Sequence, residues 1–490
     1  MKRITSLLLI LAMLASMTAC GEQAAENTQD EVTPAAAETP ETQPEETEPE
    51  RIKPDIPDTT YDGQKFRFLS REVTDAVVRY YSEISAAEMN GEIMNDAIFE
   101  RTERMETTYD IDIVDETAGD VSATYSNSYL AGEQNWDVVI PGFSAALGLA
   151  QNGYNADWKQ IEHLDLEKPW WDNSAAKSME IGGSVYSVIG SMNTWTDSHT
   201  YAIVFNKEMA VDFEVNPYEM VRGNTWTLDN FSAILEKIGH DLDGNGELDH
   251  NDRYGAVGEN FNFPLFVLAS DVLLVTPDEE GYPTLNITEK FYTVADKVCS
   301  ILCSSSYMRA ETLRDKVDDI WGTGLRGNFR AGNSLFYVGG IEQLLIFRDL
   351  DTDIGLLPMP KYEEAQENYH HSFSTYWASI MVIPRNSSTM DFTGHMLEAM
   401  NADSYYTTSV AYYDVVLAGK AMRDKDSCEM LDIIRASRTI DPELAYNFLG
   451  VTSIYNAALD SGSADALASS VQRSQKPATK LIERFVEQYQ

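Results

Sequence analysis

Basic residues, cysteine and histidine are all scarce in this chain of 490 residues. Only 36 Lys and Arg stand against 79 Asp and Glu, for a formal net charge of −43. Such a field repels phosphate backbones and leaves no basic stripe, so DNA and RNA are excluded as partners. After Cys20 the only cysteines are Cys299, Cys303 and Cys428, an odd number and too few for a disulfide framework. Cys299 and Cys303 stand at i and i+4 in FYTVADKVCSILCSSS, share a helix face, and are expected to pack as small hydrophobes. No G-x-S-x-G, H-E-x-x-H, Walker or C-x-x-C pattern occurs, and the seven histidines are scattered apart from His370-His371. Carboxylates are too abundant for a catalytic pair to stand out, so nothing in the chain marks an enzyme. Past the leader, no apolar run reaches the length of a membrane-spanning helix.

What is present begins with the leader. Lys2 and Arg3 precede an apolar run from Ile4 to Met17, then Thr18, Ala19 and Cys20. The run is too short to span a bilayer and reads as the core of an export signal over residues 1–19. A Cys immediately after the cut resembles the lipobox of bacterial lipoproteins. That resemblance implies that Cys20 is lipidated and anchors the exported protein to the outer face of the cell membrane. Residues 20–58 are rich in Glu, Pro, Thr and Ala and almost free of large apolar side chains. They cannot bury enough surface to offset their ordering entropy and are expected to form a disordered acidic linker, roughly 35 Å or more in span.

The remaining chain is long enough for two lobes. KFRFLS (65–70) alternates as a half-buried strand should, a helix is expected over 93–107, and strands over 111–114 and WDVVI (136–140). This alternation points to an α/β fold with a mainly parallel sheet. YAIVFN (201–206), 334–338 and 378–383 read as further strands, Thr227 as the N-cap of a helix, and the chain beyond Thr389 as almost wholly helical.

One motif carries clear chemistry. Asp241, Asp243, Asn245, Glu247, Asp249 and Asp252 occupy the oxygen-bearing positions of a twelve-residue calcium loop, with Gly246 at the sharp turn. Asp252 replaces the usual Glu and has a shorter reach, and the strand-like RYGAVG follows where a second helix would be. Structural Ca2+ held as a staple is the expectation. Gly322, Gly324 and Gly327 match G-x-G-x-x-G, but no apolar strand precedes them, so they read as a flexible loop carrying Trp321. The aromatic clusters, Trp170-Trp171, Trp195, Tyr201, Trp226, Trp321, Tyr337 and Tyr376-Trp377, suit the apolar faces of sugar rings as well as core packing.

The segments NGEIMNDAIFER, LEKPWWD, GGSVYSVIGS, TYAIVFNKEM, VRGNTWTLDNF, FRAGNSLFYV and DIGLLPMPKYEEAQENYHHS, in this order, resemble extracellular solute-binding proteins of bacterial ABC importers. The likeness is to the family that includes maltose-binding protein. It implies a two-lobed type II periplasmic-binding-protein fold with a helical C-terminal region. Lobe one would be 60–197 plus 338–384 and lobe two 198–337 plus 385–490. A sugar would bind in the inter-lobe cleft and pass to an ABC permease, with no chemistry and as a monomer. The positions matching the family's cleft segments are Arg71, Phe143, Ser144, Trp195, Asp197, His199, Trp321, Tyr337, Tyr376 and Trp377. Pro141-Gly142-Phe143 and His199 depart from the maltose-type pattern. An exported glycan-active enzyme, a ligand-presenting sensor module and a binder of peptide or polyamine remain open alternatives.

Overall fold

The structure is a computed structural model that describes residues 51–73, 80–417 and 425–489. The leader, Cys20 and the linker up to residue 50 lie outside the described residues. The linker ends earlier than residue 58. Ile52 donates its N–H to the Tyr406 hydroxyl at 2.8 Å, and Ile56 packs against the first core.

Two sheets organise the body. In the first, β1 (Gln64–Arg71) is central, with β2 (Ile111–Ala118) parallel on one side and β3 (Val138–Val139) parallel on the other. The alternation of KFRFLS turns Phe66 and Phe68 into one core, while Leu69 faces the opposite one. The stretch 378–383 makes isolated antiparallel bridges rather than a strand: Val382 with Val139 of β3, Ser379 with Gly142 and Met381 with Val188. The helix Ile93–Tyr109 follows the expected span closely.

The second sheet is built from β4 (Tyr201–Asn206), β5 (Tyr254–Gly258), β8 (Tyr307–Arg309), β9 (Ser334–Gly340) and β10 (Ile354–Leu357), in the order β10-β4-β9-β5-β8. A separate hairpin pairs β6 (Val275–Pro277) with β7 (Pro283–Leu285). The second sheet is mixed rather than mainly parallel: β4 runs antiparallel to both β10 and β9, while β5 is parallel to β9 and β8. Every residue of β4 is buried, as an apolar run covered on both faces should be. Thr227 caps the helix Leu228–Ile238 by accepting the Asn230 N–H.

The lobe boundaries expected from sequence need correction. Residues 338–357 belong to the second sheet, because β9 and β10 both pair with β4. Residues 385–406 belong with the first, because Phe392, Met396, Leu397 and Met400 of the helix Met390–Tyr406 pack on Phe66 and Phe68. The second sheet begins at Tyr201, just after Asp197, and the segment that runs back beside this crossing is near Phe373 rather than Tyr337. Those two crossing segments lie side by side. Thr200 pairs with Phe373, the Tyr201 N–H donates to Ser372 O, and the Ser374 N–H donates to His199 O. A third segment flanks them: the His371 N–H donates to Ser437 O and the Thr439 N–H to His371 O.

Cys299 and Cys303 share a helix face as expected, with Sγ atoms 3.9 Å apart and each directed at a carbonyl of Ala458 or Leu459. They are free thiols packed against the helix Val451–Ser461.

Candidate functional site

A cleft of about 600 Å³ opens beside the crossing segments. Strand direction explains which residues reach it. β5 ends at Gly258, followed by Glu259 and Phe261, and β9 ends at Gly340, followed by Glu342 and Gln343. β4 is antiparallel to β9 with Tyr201 opposite Gly340, so its first residue stands at the same edge. Open α/β sheets present ligand sites at this carboxyl edge. A Cβ at Gly340 would meet the Glu342 carboxylate, which would have to shift to make room.

The opposite wall comes from the returning segment, Ser374 to Trp377. Tyr376 and Trp377 are 67% and 37% exposed, and meet edge to face at 4.6 Å. Trp377 also stacks on His199 at 6.2 Å. Trp321, 40% exposed, closes a third side. Its turn, Ile320–Arg326, is ordered by the Asp319 carboxylate, which accepts the N–H groups of Trp321 and Gly322.

Two carboxyl groups give the cleft its electrostatics. Glu259 accepts the Tyr201 hydroxyl at 2.6 Å, and burial pushes its pKa up to about 6. Glu342 accepts the Gln343 side-chain amide at 2.8 Å, and burial pushes its pKa up to about 7. Its second oxygen is buried with no hydrogen-bond partner. Arg326, whose Nε donates to Gln343, is the only Lys or Arg among the described lining residues and favours ionisation of both carboxyls. Burial, reinforced by Glu259, drives the Tyr201 pKa well up, keeping that hydroxyl a donor.

Of the ten ligand positions named from sequence, the structure brings five into this cleft: His199, Trp321, Tyr337, Tyr376 and Trp377. The other five are elsewhere. Arg71 lies behind the aromatic wall, donating to the Tyr376 and Trp377 carbonyls at 2.9 and 3.3 Å with its guanidinium over both rings. Phe143 is core, edge-on to Phe373 at 5.0 Å. Ser144 uses its backbone N–H to hold Thr375 O. Trp195 is buried against Tyr81, its N–H held by the Glu83 carboxyl. Asp197 is bound at 2.5 Å to Arg438, which also pairs with Asp172 at 2.8 Å. Tyr201, Glu259, Phe261, Arg326, Glu342 and Gln343 line the cleft and were not singled out as ligand positions. The available signal was an acidic residue within two positions of the end of a buried apolar strand, as in YGAVGE and FYVGGIE.

The acidic loop folds tightly on itself. Carboxylate oxygens of Asp241, Asp243 and Asp252 lie within 4.8 Å of one another. Asp241 accepts the N–H groups of Gly244 and Gly246, and those bonds hold its carboxyl below the usual range. Asp252 is almost fully buried and accepts from Leu242 and Asp249. Three hard oxygen donors thus converge, against the six to eight that a calcium ion takes. Asn245 Oδ1 accepts the Glu247 N–H, and Asp249 accepts the Asn251 N–H, so these side chains shape the loop. Glu247 is exposed.

No protein-family model matches the chain, and no curated protein matches it. Solved structures do. The GacH receptor of Streptomyces glaucescens, solved unliganded and with acarbose, is 14% identical, with a TM-score of 0.53 over 85% of this chain and 99% of its own. The maltose/maltodextrin-binding domain MalE of Bdellovibrio bacteriovorus, bound to maltotriose, is 12% identical, with a TM-score of 0.53 over 86% and 100%. A sugar transporter of Rhizobium etli, in an open conformation, is 12% identical, with a TM-score of 0.57 over 85% and 99%. The chain therefore has the two-lobed α/β fold of these proteins, as expected from its sequence.

Proposed function

We propose that the protein is an exported receptor, anchored through a lipidated Cys20, that captures a carbohydrate oligomer in the inter-lobe cleft and delivers it to an ABC permease without altering it. The observation that carries this reading is the cleft itself: exposed aromatic faces opposite polar groups, at the carboxyl edge of a sheet and against paired crossing segments. Aromatic faces stack on sugar C–H faces, and Glu259, Glu342, Gln343 and Arg326 suit sugar hydroxyls. The crossing segments would serve as the hinge, with closure reporting occupancy to the permease. The solved neighbours are described as binding acarbose and maltotriose, which agrees with this assignment.

A thermal-shift screen against oligosaccharides, monosaccharides, peptides and polyamines tests it. A ligand at 100 times its Kd stabilises by about 2.7 kcal/mol. A shift with one glycan class, without turnover of that glycan, is the expected result. Consumption of the glycan, or shifts with peptides alone, would overturn it.

The loop from Asp241 to Asp252 is proposed to hold Ca2+ as a structural staple. Asp241, Asp243 and Asp252 would be the ligands supported by convergence, and Asn245, Glu247 and Asp249 would have to turn toward the ion to join them. Calcium there would pin the segment between the helix Leu228–Ile238 and β5, which itself leads to Glu259.

A further inference from the structure

The cleft is unevenly charged. Among the described residues its lining carries three acidic side chains, Glu259, Asp319 and Glu342, against one Lys or Arg, Arg326. Asp319 is spent on the backbone of its own turn. Glu342 keeps one carboxylate oxygen buried and without a donor, a costly state for a charged group. Arg326 lies within electrostatic reach of both Glu259 and Glu342, so one positive charge is divided between two negative ones. On the Glu259 side, Glu311 adds further negative charge.

A hydroxyl could satisfy the buried oxygen of Glu342 but would leave the charge uncompensated. An ammonium supplies up to three donors together with the missing charge. The aromatic walls point the same way. The exposed face of Trp321 carries a negative quadrupole that attracts a cation as well as stacks on a pyranose C–H face, while Tyr376 and Trp377, which already hold the Arg71 guanidinium over their rings, offer their exposed sides for stacking. A flexible polyamine would use the charge and waste the flat apolar faces. A neutral glycan would do the reverse.

We infer that the ligand is a cationic glycan, an oligomer of amino sugar with free amines, whose ammonium faces Glu259 and Glu342 while its rings stack on the aromatic walls. This rests on the receptor reading above and narrows its substrate class. The raised pKa values of the two carboxyls agree with it, because burial outweighs the single shared Arg326 and holds both partly protonated near neutral pH.

Isothermal titration of the full-length protein in mild detergent decides the matter, with four probes: glucosamine oligomers, the same oligomers fully N-acetylated, maltotriose and spermidine. The expected result is that the free-amine oligomer binds at least about tenfold tighter than its N-acetylated form. Glu342→Gln is expected to shrink that ratio, and Glu259→Gln to shrink it less, since Glu259 keeps its Tyr201 donor. Equal or tighter binding of the acetylated or neutral oligomers would overturn the cationic ligand and leave the sugar receptor standing. Binding of spermidine alone, or of none of the four, would overturn both. The wild-type ratio carries the test even if a variant fails to fold.

Discussion

The acidic loop and the acidic cleft use the same side chains in opposite ways. In the loop, Asp241 is surrounded by backbone N–H groups that hold its carboxyl below the ordinary range. In the cleft, burial outweighs the few donors offered to Glu259 and Glu342, and their carboxyls rise to about 6 and about 7. A carboxylate ringed by its own backbone is ready for a hard cation and rigidifies the chain around it. One buried beside aromatic rings waits for a partner that arrives from outside. Negative charge by itself therefore says little about role, and the supply of donors around it says most.

Between these extremes stands the buried Asp172–Arg438–Asp197 triad, where a resident cation meets both charges. Arg438→Met would turn Asp197 and Asp172 into unpaired buried carboxylates, a far harsher version of the cleft. The expected loss is about 3 to 5 kcal/mol, read from urea unfolding, and wild-type stability would show that the triad adds nothing. Sharpening the other side of the comparison, calcium at 100 times its Kd should stabilise the protein by about 2.7 kcal/mol. EDTA should remove that gain and Asp241→Asn should abolish it. A melting temperature indifferent to calcium and EDTA would mean that the loop is closed by its own hydrogen bonds alone.

The smallest expected effect is on pH dependence. A carboxyl whose folded pKa lies above its ordinary value stabilises fully at low pH and loses that contribution as pH rises to the folded value. Glu83, buried and pushed up to about 8, extends this window furthest, followed by Glu342 and Glu443 at about 7. Histidines act in the other sense. His371 is buried and pushed down to about 3, so folding loses stability as pH falls below the ordinary 6.5. Above pH 6.5 the carboxyls outnumber the one opposing group among the described residues, the Cys303 thiol, which its hydrogen bond with Cys299 lowers to about 7. The melting temperature should fall by roughly 2 to 4 °C between pH 6.5 and 8. Glu83→Gln, which keeps an acceptor for the Trp195 N–H, should flatten that slope, and an unchanged slope would clear Glu83.

Much of the architecture was legible along the chain because local pattern decides it. WDVVI and YAIVFN could only be buried strands, and Thr227 could only open a helix. Lobe membership was not legible, since β9 joins β4 across more than a hundred residues and nothing local to FYVGG states its neighbour. The site divided the same way. Trp321, Tyr376 and Trp377 stood out because exposed-looking aromatics are few. Glu259 and Glu342 were hidden among 79 acidic residues, and only strand direction singles them out. Asp197 misled because its partner Arg438 lies 241 positions away.

The double crossing beside Thr200 and Phe373 also sets an order of assembly. A chain is synthesised from its N-terminus, so β1, β2 and β3 arrive first but lack the covering supplied by Val382 and the helix Met390–Tyr406. All five strands of the second sheet, from Tyr201 to Leu357, are in hand before that covering appears. The sheet that begins earlier is therefore finished later, and the face of Phe66 and Phe68 stays bare for most of the chain's synthesis.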